Sequence, residues 1–124
     1  DSARHTLPAG LLIGASCYNE LDRAERAVRK GADYVAFGAV YPSTTKPAAV
    51  RAPLELLGQA RALGVPVVAI CGVALHNVAA LRAAGADAVA VVSGLFGGAE
   101  ERPDALKVLN RARAWVEEFE TAKP

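Results

Sequence analysis

The chain has 124 residues, enough for one modest hydrophobic core and too few for two domains. Its 52% apolar content, rich in Ala and Val with only 6% aromatics, suits an α/β protein, and a formal charge of +1 with interspersed signs gives no general affinity for nucleic acid or anionic membranes. No apolar run approaches the roughly 18 residues of a membrane span, the amino terminus lacks a secretory layout, and the two cysteines and two histidines have no metal-site spacing, so the expectation is a soluble cytoplasmic protein without structural zinc.

In chain order, the first apolar run, residues 11–14, predicts a strand. Asn19 can then cap a helix whose apolar positions Leu21, Ala24, Ala27 and Val28 recur at helical spacing, while Arg23, Arg26, Arg29 and Lys30 face water. A second strand is predicted over 34–40, a helix over 53–63 ended by Gly64, a third strand over 65–70, a helix over 75–84 ended by Gly85, and a fourth strand over 88–92. A last helix spans 103–121, with Trp115 and Phe119 at the i, i+4 spacing of a packing stripe for a core or an interface. The four strands lack clean polar alternation, the pattern of parallel strands covered on both faces. Cys17 and Cys71 each end a predicted strand, where a cysteine lines a pocket or fills the core as a small apolar residue. The chain contains no methionine, which implies that it has been processed or cut, or is part of a longer sequence.

After the second strand come Ser43, Thr44, Thr45 and Lys46, flanked by Pro42 and Pro47. Three hydroxyls with turn N–H groups can surround an oxyanion while the ammonium neutralises it, a phosphate grip; the same residues also compose an ordinary polar turn. A repeat runs through the pattern: residues 24–38 resemble residues 78–92, each reading helix, Gly-Ala-Asp turn, strand. Repeated βα units of this kind close into a barrel when there are about eight of them. Four units predict one partial domain over residues 1–124, the carboxy-terminal half of a (β/α)8 TIM barrel, in the α/β class.

Five motifs in register carry a resemblance: Ile13-Gly14-Ala15-Ser16; Gly31-Ala32-Asp33-Tyr34-Val35-Ala36-Phe37-Gly38; Tyr41-Pro42-Ser43-Thr44-Thr45-Lys46-Pro47; Val68-Ala69-Ile70-Cys71-Gly72-Val73 with Asn77; and Gly85-Ala86-Asp87-Ala88-Val89-Ala90-Val91-Val92-Ser93. Together they cover nearly the whole chain, which resembles the thiamine-phosphate synthases. The resemblance implies that the complete enzyme is a transferase of thiamine biosynthesis. It would join an aminomethylpyrimidine diphosphate to a thiazole phosphate, with Mg²⁺, giving thiamine phosphate and pyrophosphate. It also implies that Ser16 and Lys46 serve the pyrimidine diphosphate and its leaving group, and that Ser43, Thr44, Thr45, Gly72, Val92 and Ser93 hold the thiazole phosphate. Loops after the last two strands commonly bind phosphate in barrels, and Gly72 and Ser93-Gly94 occupy those strand ends. On the residues alone, Gly72 also reads as a turn glycine, and Ser16 and Ser93 as backbone caps.

Two departures from the family pattern stand out. Cys71 replaces the first glycine of the usual pair after the third strand, and Ser43 replaces the first threonine of Thr-x-Thr-Lys, preserving the hydroxyl. The family's Mg²⁺-binding aspartates belong to the amino-terminal half, and Asp1, Asp22, Asp33, Asp87 and Asp104 do not match them, so no metal ligand is expected in this chain and the fragment alone is expected to be inactive. The expected partners are small phosphorylated substrates, with a homo-oligomer open. Two alternatives remain. One is a thiazole tautomerase-like homologue, which the Thr45-Lys46 pair disfavours. The other is a non-catalytic half barrel that self-associates through exposed strand edges.

Overall fold

Apolar runs and amphipathic stretches alternate along the chain, and they fold as a parallel sheet with helices packed on one side. The computed structural model describes residues 2–41, 51–70, 72–97, 101–102 and 104–122. Its elements are α1 (Ser2–Thr6), β1 (Gly14–Ser16), α2 (Leu21–Arg29), β2 (Tyr34–Phe37), α3 (Glu55–Ala60), β3 (Val67–Ile70), α4 (Val78–Ala84), β4 (Ala88–Ala90), α5 (Ser93–Phe96) and α6 (Ala105–Thr121). The strands lie in the order β1-β2-β3-β4 and every pairing is parallel. This unreversed order is that of a barrel wall; doubly wound sheets turn back at a switch point.

Strand alternation decides what each face does. Val35, Phe37, Val67 and Ala69 are fully buried beneath the helices, where they meet Leu57, Val78 and Leu81 in one core. Each large apolar side chain withdrawn this way contributes on the order of 1.5–3 kcal/mol before entropy is counted. The opposite face carries Ser16, Ala36, Val68 and Ala88 at one level, in register, and all four are half-buried or exposed. Among the described residues the sheet is therefore covered on one face only. The missing polar alternation has a different cause from the expected double cover: the open face is the apolar lumen side of a barrel wall.

The predicted boundaries shift where local contacts outrank hydropathy. The first strand begins at Gly14, not at residue 11, and Leu11 and Leu12 are exposed. Register sets this start, because the Tyr34 ring lies across Gly14, its partner on β1, and a Cβ there would collide with it. Asn19 does not cap α2; Glu20 occupies that position, makes no side-chain cap bond and pairs with Arg23 at 2.9 Å. Arg23, Arg26, Arg29 and Lys30 are exposed as expected. The second and third predicted helices appear as α3 and α4 with 3₁₀ turns at Arg61–Leu63 and Leu75–Asn77, and Gly64 and Gly85 end them at φ 78° and 118°. The last helix starts at Ala105, where the Asp104 carboxylate accepts from the N–H groups of Leu106 (2.9 Å) and Lys107 (3.3 Å). Helices α1 and α5, of five and four residues, are too short to show a period in sequence.

The Gly-Ala-Asp repeat is a twice-used clamp. Asp33 donates its N–H to the Ile13 carbonyl at 2.7 Å and accepts from the Ile13 N–H through Oδ2 at 2.7 Å; Asp87 does the same to Val67, at 2.8 and 2.9 Å. Each carboxylate thus adds a rung to the parallel ladder at the start of its strand. An arginine backs each turn and also donates to its glycine carbonyl: Arg4 lies 2.6 Å from both Asp33 and Gly31 O, and Arg61 lies 3.7 Å from Asp87 and 3.4 Å from Gly85 O. Arg4 and the Ile13 N–H together hold the Asp33 carboxyl below the usual carboxylate range.

Candidate functional site

Among the described residues, Ser16, Gly72, Val92 and Ser93 lie at or just beyond the carboxyl ends of β1, β3 and β4. Ser16 ends β1, and its level continues across the sheet through Ala36, Val68 and Ala88. Its side chain is exposed on the lumen side. Cys17, next in the chain, points the other way and is fully buried; burial raises its thiol pKa, so it acts as a core residue. The β1–β2 ladder extends past the strands, with the Cys17 N–H donating to Ala36 O at 2.8 Å and the Gly38 N–H to Tyr18 O at 3.1 Å. Tyr18 takes a left-handed φ of 54° at this rim, and Arg23 lies 5.3 Å from its ring centroid.

Gly38, just past β2, lies against Ile70 at the end of β3. A Cβ there would lie 2.6 Å from the Ile70 carbonyl oxygen, so only glycine fits. Just beyond it the Val40 N–H donates to that same carbonyl at 3.2 Å, and the Ala52 N–H donates to Ala39 O at 2.8 Å. The chain therefore leaves and returns at the end of β2. The segment between, residues 42–50, lies outside the described residues, and with it Ser43, Thr44, Thr45 and Lys46; Cys71 lies outside them too.

After β3, Gly72 turns with φ 70°, which a side chain would strain, and its carbonyl accepts from Asn77 Nδ2 at 3.4 Å. After β4, Val92 is exposed and Ser93 opens α5 with its side chain exposed. Sequence reasoning missed what seats this short helix. Trp115 of α6 donates its indole N–H to Gly94 O at 2.9 Å, and a Cβ on Gly94 would lie 2.7 Å from the ring. Arg111 adds a bond to Leu95 O at 3.3 Å and an ion pair to Glu101 at 2.7 Å. Trp115 and Phe119 do form a packing stripe, with Arg82 stacked 4.0 Å over Phe119.

The structure thus brings Gly72 and Ser93 together at the ends of neighbouring strands and sets Ser16 apart on the far edge strand. Three strand intervals separate β1 from β4, about 14 Å along the sheet at ~4.8 Å each. The site face is built from hydroxyls, glycine backbone and a helix start. Asp33 and Asp87 sit at the opposite ends of the strands, committed to the clamps. Among the described residues no three His, Cys, Asp or Glu converge as a metal centre.

The family model described as thiamine monophosphate synthase matches residues 1–95. The chain is 58% identical over 106 residues to the thiamine-phosphate synthase of Azoarcus sp. strain BH72, covering 85% of this chain and 52% of that one. It is 53% identical over 116 residues to that of Thioalkalivibrio sulfidiphilus, covering 93% and 53%. The solved thiamine phosphate pyrophosphorylase of Pyrococcus furiosus superposes with a TM-score of 0.80 at 31% identity, over 98% of this chain and 54% of that one. The chain therefore spans about half the length of the curated relatives it matches. It forms a half barrel, and it belongs to the thiamine monophosphate synthase family.

Proposed function

We propose that the complete protein is a thiamine-phosphate synthase and that this chain supplies its thiazole-phosphate subsite and part of its diphosphate subsite. The observation that carries the reading is the family match over residues 1–95, with relatives of that name at 53–58% identity. In this reaction pyrophosphate leaves the pyrimidine methylene carbon first, and the thiazole nitrogen captures the resulting cation. No base is needed at that step. The protein's task is to stabilise charge on the leaving group and to hold two substrates in line.

Ser16 and Lys46 take the leaving pyrophosphate, the serine as hydrogen-bond donor and the lysine as cation. Ser43, Thr44 and Thr45 take the thiazole phosphate together with the backbone at Gly72 and at Val92-Ser93. The separation of β1 from β3 and β4 supports this division, since two anionic groups need room and distinct donors. Mg²⁺ would balance diphosphate charge, with its ligands in the amino-terminal half. The protein's partners are then small phosphorylated molecules in the cytoplasm.

Lys46→Ala in the complete protein tests the reading. The expected result is a fall in turnover of about 10²- to 10³-fold, the scale of losing one charge-stabilising group, with thiazole-phosphate KM little changed. An undiminished rate of thiamine-phosphate formation refutes the role of Lys46 and with it this form of the synthase reading.

A further inference from the structure

Helix α5 follows β4 with no buried residue of its own: Ser93 and Phe96 are exposed, and Gly94 and Leu95 are half-buried. Four residues are far below the length at which a helix holds itself in water, and the carbonyls of a last turn have no partner inside the helix. The N–H groups of Leu95 and Phe96 donate to Val92 O at 3.1 and 2.9 Å, and that of Gly97 to Ser93 O at 2.9 Å, which leaves the Gly94 and Leu95 carbonyls unmet within α5. Both are met from α6. The buried Trp115 donates its indole N–H to Gly94 O at 2.9 Å, and Arg111 donates Nη1 to Leu95 O at 3.3 Å. The indole also lies against Gly94, where a Cβ would come within 2.7 Å of the ring, so α5 is seated by contact as well as by hydrogen bonds. Glu101 holds the other end of the Arg111 fork at 2.7 Å, in space that Gly97 leaves open at φ 89° and that a Cβ there would fill.

We propose that Trp115 and Arg111 are positioning residues for the thiazole phosphate: by fixing the Gly94 and Leu95 carbonyls they set the direction of the backbone N–H groups at Val92-Ser93. The inference rests on the synthase reading and on its assignment of Val92-Ser93 to the monophosphate. Backbone donors hold an oxyanion only while they point at it, since a hydrogen bond weakens as its angle closes from about 150° toward about 120°. A tilted α5 therefore loses phosphate affinity. Ser16 lies three strand intervals away, about 14 Å at ~4.8 Å each, so the same tilt leaves the diphosphate side untouched. Arg111 acts through the backbone and not as a phosphate ligand, because its charge is already paired with Glu101. The signature of the two residues is thus a change in the handling of one substrate.

Steady-state kinetics of the complete protein test this, each substrate varied with the other saturating, with Trp115→Phe and Arg111→Ala as variants. Trp115→Phe keeps a ring beside Gly94 and removes the N–H. It should raise the thiazole-phosphate KM by about threefold to tenfold, the scale of one hydrogen bond, with the pyrimidine-diphosphate KM and kcat within about twofold of the parent. Arg111→Ala should shift the same constant in the same direction by about twofold to fivefold. Arg111 is only half-buried, so its variant decides the matter should Trp115→Phe fail to fold. An equal rise in both KM values, a fall in kcat alone, or a thiazole-phosphate KM unchanged in the folded variants overturns the positioning role and leaves the synthase reading standing. A parent protein that forms no thiamine phosphate overturns that reading and this inference with it.

Discussion

Asp87→Ala removes the acceptor of the Val67 N–H, which belongs to a fully buried residue and lies 2.9 Å from the carboxylate. A hydrogen bond to a charged group contributes ~1.5–3 kcal/mol, and the stranded donor adds to the loss. The Asp87 side chain is 43% exposed, so water replaces part of the interaction, and the expected cost is about 2 kcal/mol. The Arg61 pair, at 3.7 Å with both side chains largely exposed, contributes only about 0–0.5 kcal/mol. The ordering is therefore Asp87→Ala worst, Asp87→Asn about half as costly because an amide oxygen still accepts, and Arg61→Ala nearly neutral. Urea unfolding followed by far-UV circular dichroism reads this as a midpoint lowered by about 1 M for Asp87→Ala, at one fixed protein concentration. An Asp87→Ala midpoint within about 0.3 M of the parent, or an Arg61→Ala loss equal to it, refutes the clamp.

Gly38→Ala places a methyl 2.6 Å from the Ile70 carbonyl oxygen, and the resulting overpacking should cost about 1–3 kcal/mol in thermal unfolding; a melting temperature unchanged from the parent would mean the β2–β3 crossing is not tight. Asp33 has its carboxyl pKa lowered in the folded state, first by the Arg4 bond and then by the Ile13 N–H. Its contribution is therefore full above the unfolded value near ~4 and is lost as pH falls through the lower folded value. Asp33→Asn should flatten the fall of melting temperature on the acid side while leaving the slope between pH 6 and 8, about neutrality, unchanged; parallel curves would contradict this.

Legibility in the sequence followed the range of the contacts involved. The order of the four strands and of helices α2, α3, α4 and α6, the glycine stops at Gly64 and Gly85 and the solvated arginines of α2 rest on local preferences, and they appear in the structure as read. The start of β1 was misplaced because hydropathy favours Leu11 and Leu12, whereas register with Tyr34 decides it. The Gly-Ala-Asp repeat was visible as a turn, but the work of its carboxylates was not, because the N–H groups that donate to them lie 20 residues earlier, at the start of the neighbouring strand. Trp115 was legible as a packing residue; that it anchors α5 through Gly94 depends on a contact spanning 21 residues. Ser16, Gly72 and Ser93 were legible as strand-end positions, and they stand at or just beyond the carboxyl ends of β1, β3 and β4.

On the proposed assignment, the two ends of the sheet divide stability from chemistry. At the amino ends of the strands, carboxylates bind backbone N–H groups and arginines back them. At the carboxyl ends the described residues offer the Ser16 and Ser93 hydroxyls, the Gly72 turn and the start of α5. The supports of this second end are unequally distributed. Gly72 is held by Asn77, and α5 by Trp115 and Arg111, all from within the chain. Ser16 instead stands on β1, at the edge of the sheet formed by the described residues, beside a groove lined by Ile13, Ala15 and Ala27. On the proposed assignment, the monophosphate subsite is thus built by the half barrel itself. The diphosphate subsite lies at its margin, where whatever completes the barrel must contribute the remaining charge.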